Sequence, residues 1–143
     1  MSTIRLPYYD LSSEALQGMR SLKNYLAKCS LGLPLVELVY LRISQINGCA
    51  YCLNMHSKSL RESGESQQKL DALAGWRVSS LFSDKERAAL EWAESLTDIS
   101  STHADDSSYT PLKVHFTDTE ISDLTFAISL MNALNRVAIG MRQ

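Results

Sequence analysis

Pro34-Leu35-Val36-Glu37-Leu38-Val39-Tyr40-Leu41-Arg42-Ile43, then Asn47-Gly48, then Cys49-Ala50-Tyr51-Cys52-Leu53-Asn54-Met55-His56, is the stretch on which the reading turns. The first part is apolar nearly all round, as in a helix buried on every side. Pro34 suits a first helical turn, where a missing N–H is no loss. Its β-branched residues would also fit a strand, but length and neighbouring pattern favour a helix. Asn47-Gly48 ends it. A second helix follows from Cys49 to about Ser63, with Gly64 at its C-terminal cap.

Around this centre the chain reads as helical throughout. Leu16, Met19, Leu22, Leu26 and Cys29 form one apolar stripe on a helix from about Ser12 to Lys28. Ser66 opens a short helix over Gln67 to Ala74. Ser83-Asp84-Lys85-Glu86 and Thr117-Asp118-Thr119-Glu120 are capping boxes, a hydroxyl at the cap and a Glu three residues on. The first precedes a helix carrying Ala88, Ala89, Leu90, Trp92, Ala93 and Leu96. The second precedes a long helix from Ile121 to about Gly140. Ser100 to Ser108 reads as loop, and Tyr109 to His115 as a short helix with Pro111 in its first turn. The last helix is apolar on more than one face. Either it is a central helix wrapped by the others or it presents a subunit interface. On it, Asn132 and Asn135 are expected to hydrogen-bond across a buried seam, with Arg136 paired to a carboxylate.

The chain has 143 residues, 45% hydrophobic and 21% charged, with only three Pro and six Gly. That suits one ordinary helical domain over residues 1–143 and neither a turn-rich β design nor a disordered chain. Fourteen basic against sixteen acidic residues give a net charge of -2, which argues against a nucleic-acid binder with a broad basic footprint. The first ten residues lack the apolar run of a secretory signal. No stretch reaches 18 uninterrupted apolar residues, so no membrane span is expected. A cytoplasmic location follows as the expectation. Three Cys do not make a structural disulfide framework there, but two are spaced C-x-x-C.

Cys49, Cys52 and His56 stand at i, i+3 and i+7, along one helical stripe. The two sulfurs could form a disulfide with little backbone movement. The pair sits at a helix start, where free N–H groups and the dipole lower a thiol pKa. His56, one turn beyond Cys52, could take its proton or stabilise the thiolate. Glu37 is the one acid in the apolar stretch, and a buried carboxylate is costly unless paired or functional. It could approach His56 as the third member of a triad, or pair structurally with Arg42 or Arg136. A zinc site would need a fourth ligand from Glu37, His103 or His115, and three ligands on one helical face are awkward for tetrahedral geometry. Inert buried thiols are the blander alternative. Cys29 reads as a packed core thiol, His103 and His115 as solvated, and Trp76, Trp92 and Tyr40 as core.

Glu37-x11-Cys49-Ala50-Tyr51-Cys52-x3-His56 resembles the core motif of the AhpD-like alkylhydroperoxidases, within the carboxymuconolactone decarboxylase superfamily. Ser44-Gln45-Ile46-Asn47-Gly48 before it, His56-Ser57-Lys58 after it, and Leu70 to Arg77, Phe82 to Glu86 and Ala127 to Arg136 continue the likeness, which covers about Pro34 to Arg142. The resemblance implies an all-α, AhpD-like bundle of about six to seven helices, assembled as a homo-trimer or homo-hexamer. It also implies a peroxidase without metal or organic cofactor. In it Cys52 attacks the peroxide, Cys49 resolves the sulfenic acid to a disulfide, and His56 and Glu37 relay the proton. Partners implied are a hydroperoxide and a thiol or dithiol reductant, with a lipoyl-bearing protein as the candidate. Two features depart from the best-known AhpD: Tyr51 stands where that enzyme has a second His, and this chain is shorter. The superfamily's decarboxylases share the fold but do not use a C-x-x-C pair. The same residues would also serve a thiol–disulfide oxidoreductase or redox sensor.

Overall fold

A computed structural model describes residues 3–143, and all regular structure among them is helical. Five long helices carry the fold: α2 (Ser13–Ala27), α3 (Leu33–Asn47), α4 (Ala50–Glu62), α6 (Asp84–Thr97) and α10 (Asp118–Met141). Short helical turns join them: α1 (Tyr8–Leu11), α5 (Gln67–Asp71), a 3-10 segment (Leu73–Val78), α7 (Ile99–Thr102), α8 (Asp106–Tyr109) and α9 (Leu112–His115). The long helices begin and end where the sequence predicts, within a few residues.

The bundle is built around α3, which packs on α4, α6 and α10. Val36, Val39, Tyr40 and Ile43 of α3 meet Ala89, Trp92 and Ala93 of α6 and Leu124, Ala127, Ile128 and Met131 of α10 in the main core. The other face of α3, through Leu38 and Leu41, meets Leu60 of α4 and Leu70, Leu73, Trp76, Phe82 and Leu90 in a second core. A helix buried on both sides has no polar face to spare, which is why its sequence is apolar all round.

The two capping boxes form as read. Ser83 Oγ accepts from the Glu86 N–H at 3.1 Å, and Glu86 Oε1 accepts from the Ser83 N–H at 2.9 Å. Thr117 and Glu120 make the same reciprocal pair at 3.2 and 3.0 Å. α10 packs its buried residues against α2, α3, α4 and α6, while Phe126 and Ile139 on its outer side remain exposed. By length and composition alone this 24-residue helix would suffice to cross a bilayer; here it packs against α2, α3, α4 and α6.

Two expectations need correction. Residues 100–108 are not plain loop: they include the end of α7 and most of α8, separated by His103 and Ala104 in left-handed conformation. Hydroxyls hold this segment to α6, with Thr102 Oγ1 donating to the Ser95 carbonyl at 2.6 Å and Ser108 Oγ donating to Ser95 Oγ at 2.9 Å. A polar composition disguised helical turns whose polar side chains satisfy one another. Arg136, expected in an ion pair, is exposed and forms none among the described residues. The asparagine seam does form. Asn47 Nδ2 donates to Asn132 Oδ1 and Asn135 Oδ1 at 3.0 and 3.1 Å, and Asn135 Nδ2 donates to Ser44 Oγ at 3.1 Å.

Candidate active site

The site begins at the reversal between α3 and α4. Gly48 takes φ +73°, a left-handed conformation that costs an L side chain. Its N–H bonds the Ser44 carbonyl at 2.9 Å. The turn delivers Cys49 to the N-cap of α4, where its sulfur accepts from the Cys52 N–H at 3.4 Å. Cys52 is thus the third residue of the helix, among N–H groups that have no intrahelical acceptor. Those groups and the helix dipole favour a thiolate at this end.

Cys49 and Cys52 are joined as a disulfide, with Cα atoms 5.3 Å apart. Both cysteines are buried, at 1% and 3% exposure. His56 lies one turn beyond Cys52, 1% exposed, and its Nδ1 is 2.6 Å from Glu37 Oε2. Glu37 therefore pairs with His56 and with neither arginine; Arg42 turns instead to Glu94 at 2.8 Å. A carboxylate only accepts, so Nδ1–H donates to it and Nε2 is the ring nitrogen left free. Nε2 has no hydrogen-bond partner, although it is buried. Tyr40, one helical turn from Glu37, stacks its ring at a tilt 5.3 Å from the imidazole. Burial first, and then the Glu37 charge, push its phenol well above the ordinary tyrosine range.

Cys52 and His56 open onto one cavity of about 210 Å³. Met55, Met131, Leu134 and Val137 give it an apolar wall, and Tyr8, Tyr9 and Tyr51 stand around it. Cys49 does not line this space. It borders a separate shallow cleft with Gly48, Ala138, Arg5 and Arg142. The pair is therefore approached from two sides, and the side shared with the imidazole belongs to Cys52.

All four residues singled out in the sequence, Glu37, Cys49, Cys52 and His56, come together. His103 and His115 lie on or next to α7 and α9 and line neither opening. The described residues hold no grouping of three or more Cys, His, Asp and Glu side chains fit for a metal ion. Sequence reasoning missed the other wall. It comes from α1 and α2, through Tyr8, Tyr9, Leu16, Met19, Arg20 and Lys23. The stripe through Leu16 and Met19 was legible as a buried face, but nothing in it marks which buried space it borders.

Fold and site together define an all-helical protein with a redox-capable cysteine pair at a helix start, backed by a Glu–His pair. The Carboxymuconolactone decarboxylase family matches residues 13–95, and the chain belongs to that family. Within it the chain is AhpD-like. Its fold superposes with a TM-score of 0.94 and 38% identity on a protein of unknown function from Agrobacterium tumefaciens, provisionally named as the antioxidant defence protein AhpD. That match covers 99% of this chain and 97% of the other. An uncharacterised peroxidase-related protein from Silicibacter sp. matches with a TM-score of 0.80 and 27% identity, over 92% of this chain and 70% of that one. Among curated relatives, the uncharacterised YdfG of Bacillus subtilis is 34% identical over 96% of this chain and 93% of its own length. The uncharacterised YnjA of Escherichia coli is 41% identical over 76% of this chain, and the matched region spans 59% of that protein.

Proposed function

We propose that this protein reduces organic hydroperoxides through the Cys49–Cys52 pair. The observation that carries the reading is the shared cavity: Cys52 and the Glu37-backed His56 border the same small space, and Cys49 does not. In the reduced protein the Cys52 thiolate attacks the terminal peroxide oxygen. The O–O bond breaks, the alkoxide leaves as alcohol with a proton from His56, and Cys52 becomes a sulfenic acid. The Cys49 thiolate then attacks the Cys52 sulfur, forming the disulfide and releasing water. One hydroperoxide and two thiols give one alcohol, one water and one disulfide. An external thiol or dithiol, of which a lipoyl group on a carrier protein is the candidate, restores the pair by exchange.

The enclosure of the site favours this over a protein disulfide as substrate. Cys52, the cysteine that shares its cavity with the imidazole, is buried, and a half-enclosed space of about 210 Å³ suits a small molecule. The family's name does not carry a decarboxylase reading here, because the chemistry available at the cavity is that of a thiol. The test is hydroperoxide consumption with a small dithiol as reductant. Wild type is expected to turn over and Cys52→Ser to fall to background. Equal rates in the two would refute the assignment. Turnover of protein disulfides without turnover of hydroperoxides would favour an oxidoreductase instead.

A further inference from the structure

Two cations border the cavity over Cys52. Arg20 and Lys23 stand three residues apart on α2, on the same face as Leu16 and Met19, which also line it. Neither is in an ion pair or side-chain hydrogen bond with a described residue, whereas Arg42, Lys69 and Arg77 are all held by glutamates. No Asp or Glu side chain lines the same space, which Gln143 also borders; Glu37 contacts His56 through Nδ1, not through the free Nε2. Arg20 also acts on Tyr8, whose phenol is pushed up by burial and by Tyr51 and drawn partly back down by the guanidinium. The remaining lining is largely apolar: Leu16, Met19, Met55, Met131, Leu134 and Val137. The lining of one cavity thus combines two cations, apolar surface, and the thiol and imidazole.

We infer that Arg20 and Lys23 form an anion subsite, and that the preferred substrate is a short organic hydroperoxide carrying a negatively charged group. This rests on the peroxidase reading and adds the substrate class to it. The carboxylate, or an equivalent anion, sits at Arg20 and Lys23, the carbon chain lies along the methionine and leucine side chains, and the hydroperoxide reaches Cys52. Charge-assisted hydrogen bonds are the strong ones; Lys23 is partly buried and Arg20 exposed, so their attraction for an anion is sensitive to salt. The chemistry is unchanged: the terminal oxygen goes to Cys52 sulfur, and the hydroxy acid leaves with the proton from His56.

The test compares two probes at low ionic strength. One is a short tertiary hydroperoxide with a terminal carboxylate; the other is its neutral primary amide. For wild type the ratio of kcat/KM, carboxylate over amide, is expected to be about tenfold, falling toward one as salt is raised. In Arg20→Gln/Lys23→Gln the ratio is expected to fall toward one at low salt as well, and in Arg20→Lys/Lys23→Arg to stay well above one. A wild-type ratio near one, or a ratio the double Gln variant retains, overturns the anion subsite while the peroxidase reading stands. If wild type consumes neither probe, the peroxidase reading falls and the subsite falls with it.

Discussion

His56 has two ring nitrogens with different fates, and that asymmetry governs the site. Nδ1 is held by Glu37 at 2.6 Å, and Nε2 is buried without a partner. Nε2 is therefore the ring nitrogen that exchanges the proton in the proposed mechanism. In the proposed mechanism Glu37 acts through the imidazole, holding Nδ1 and so fixing the orientation of the ring. Glu37→Gln is therefore expected to slow peroxide-dependent thiol oxidation by roughly 10- to 100-fold, and His56→Ala by about 100-fold or more. Stopped-flow thiol oxidation would measure both. These residues were legible in the sequence for a local reason. A lone acid in an apolar helix and three side chains at i, i+3 and i+7 need no tertiary information to be noticed. Arg20, Lys23, Tyr8 and Tyr9 were not legible, because they border the site only through the packing of α1 on α2 and of α2 on α10.

At the scale of elements, the Gly48 turn and the start of α4 set the sulfurs in place. Gly48 has open space where a Cβ would project, so an added methyl meets only the backbone penalty of its positive φ. Gly48→Ala is expected to cost about 1–2 kcal/mol, read as a lower denaturation midpoint with unchanged slope. Ser83→Ala should remove about 1 kcal/mol from α6 by breaking its capping box. Both capping boxes and the Gly48 stop could be read from the sequence because cap chemistry is local. The segment over residues 100–108 could not. Its helical turns are tied to α6 by Thr102 and Ser108 bonding to Ser95, a pairing between elements that a polar composition conceals.

Across the whole molecule, Glu94 ties three parts of the chain together. Its carboxylate accepts from Arg42 of α3 at 2.8 Å, from Trp76 Nε1 at 2.9 Å and from Arg77 Nη2 at 2.7 Å. Burial alone would raise its pKa. The bonds from Trp76, Arg42 and Arg77 outweigh that and hold it below the ordinary value of 4.5. A carboxyl with a depressed folded pKa adds stability that is present above its unfolded value and lost as pH falls through the folded one. Glu94→Gln is thus expected to be less stable near pH 7 by roughly 2 kcal/mol, and to lose less than wild type as pH falls below about 4. Thermal unfolding across pH would show whether the two curves converge in acid.

The same scale holds the asparagine seam joining α3 and α10. Its existence could be read from polar residues set in apolar helices, but Arg136 has no ion-pair partner among the described residues. Its position on the exposed side of α10 was not evident from a helix apolar on several faces.

The central claim is that Cys49 and Cys52 form a disulfide in response to hydroperoxide, with Cys52 reacting first. The most direct measurement is the free-thiol count of the reduced protein before and after one equivalent of an organic hydroperoxide, on wild type and on Cys52→Ser. Wild type is expected to lose two of its three thiols rapidly, and the variant to keep both of its own over the same time. Wild-type thiols that survive the peroxide, or a variant that loses Cys49 as fast as wild type does, would contradict the account.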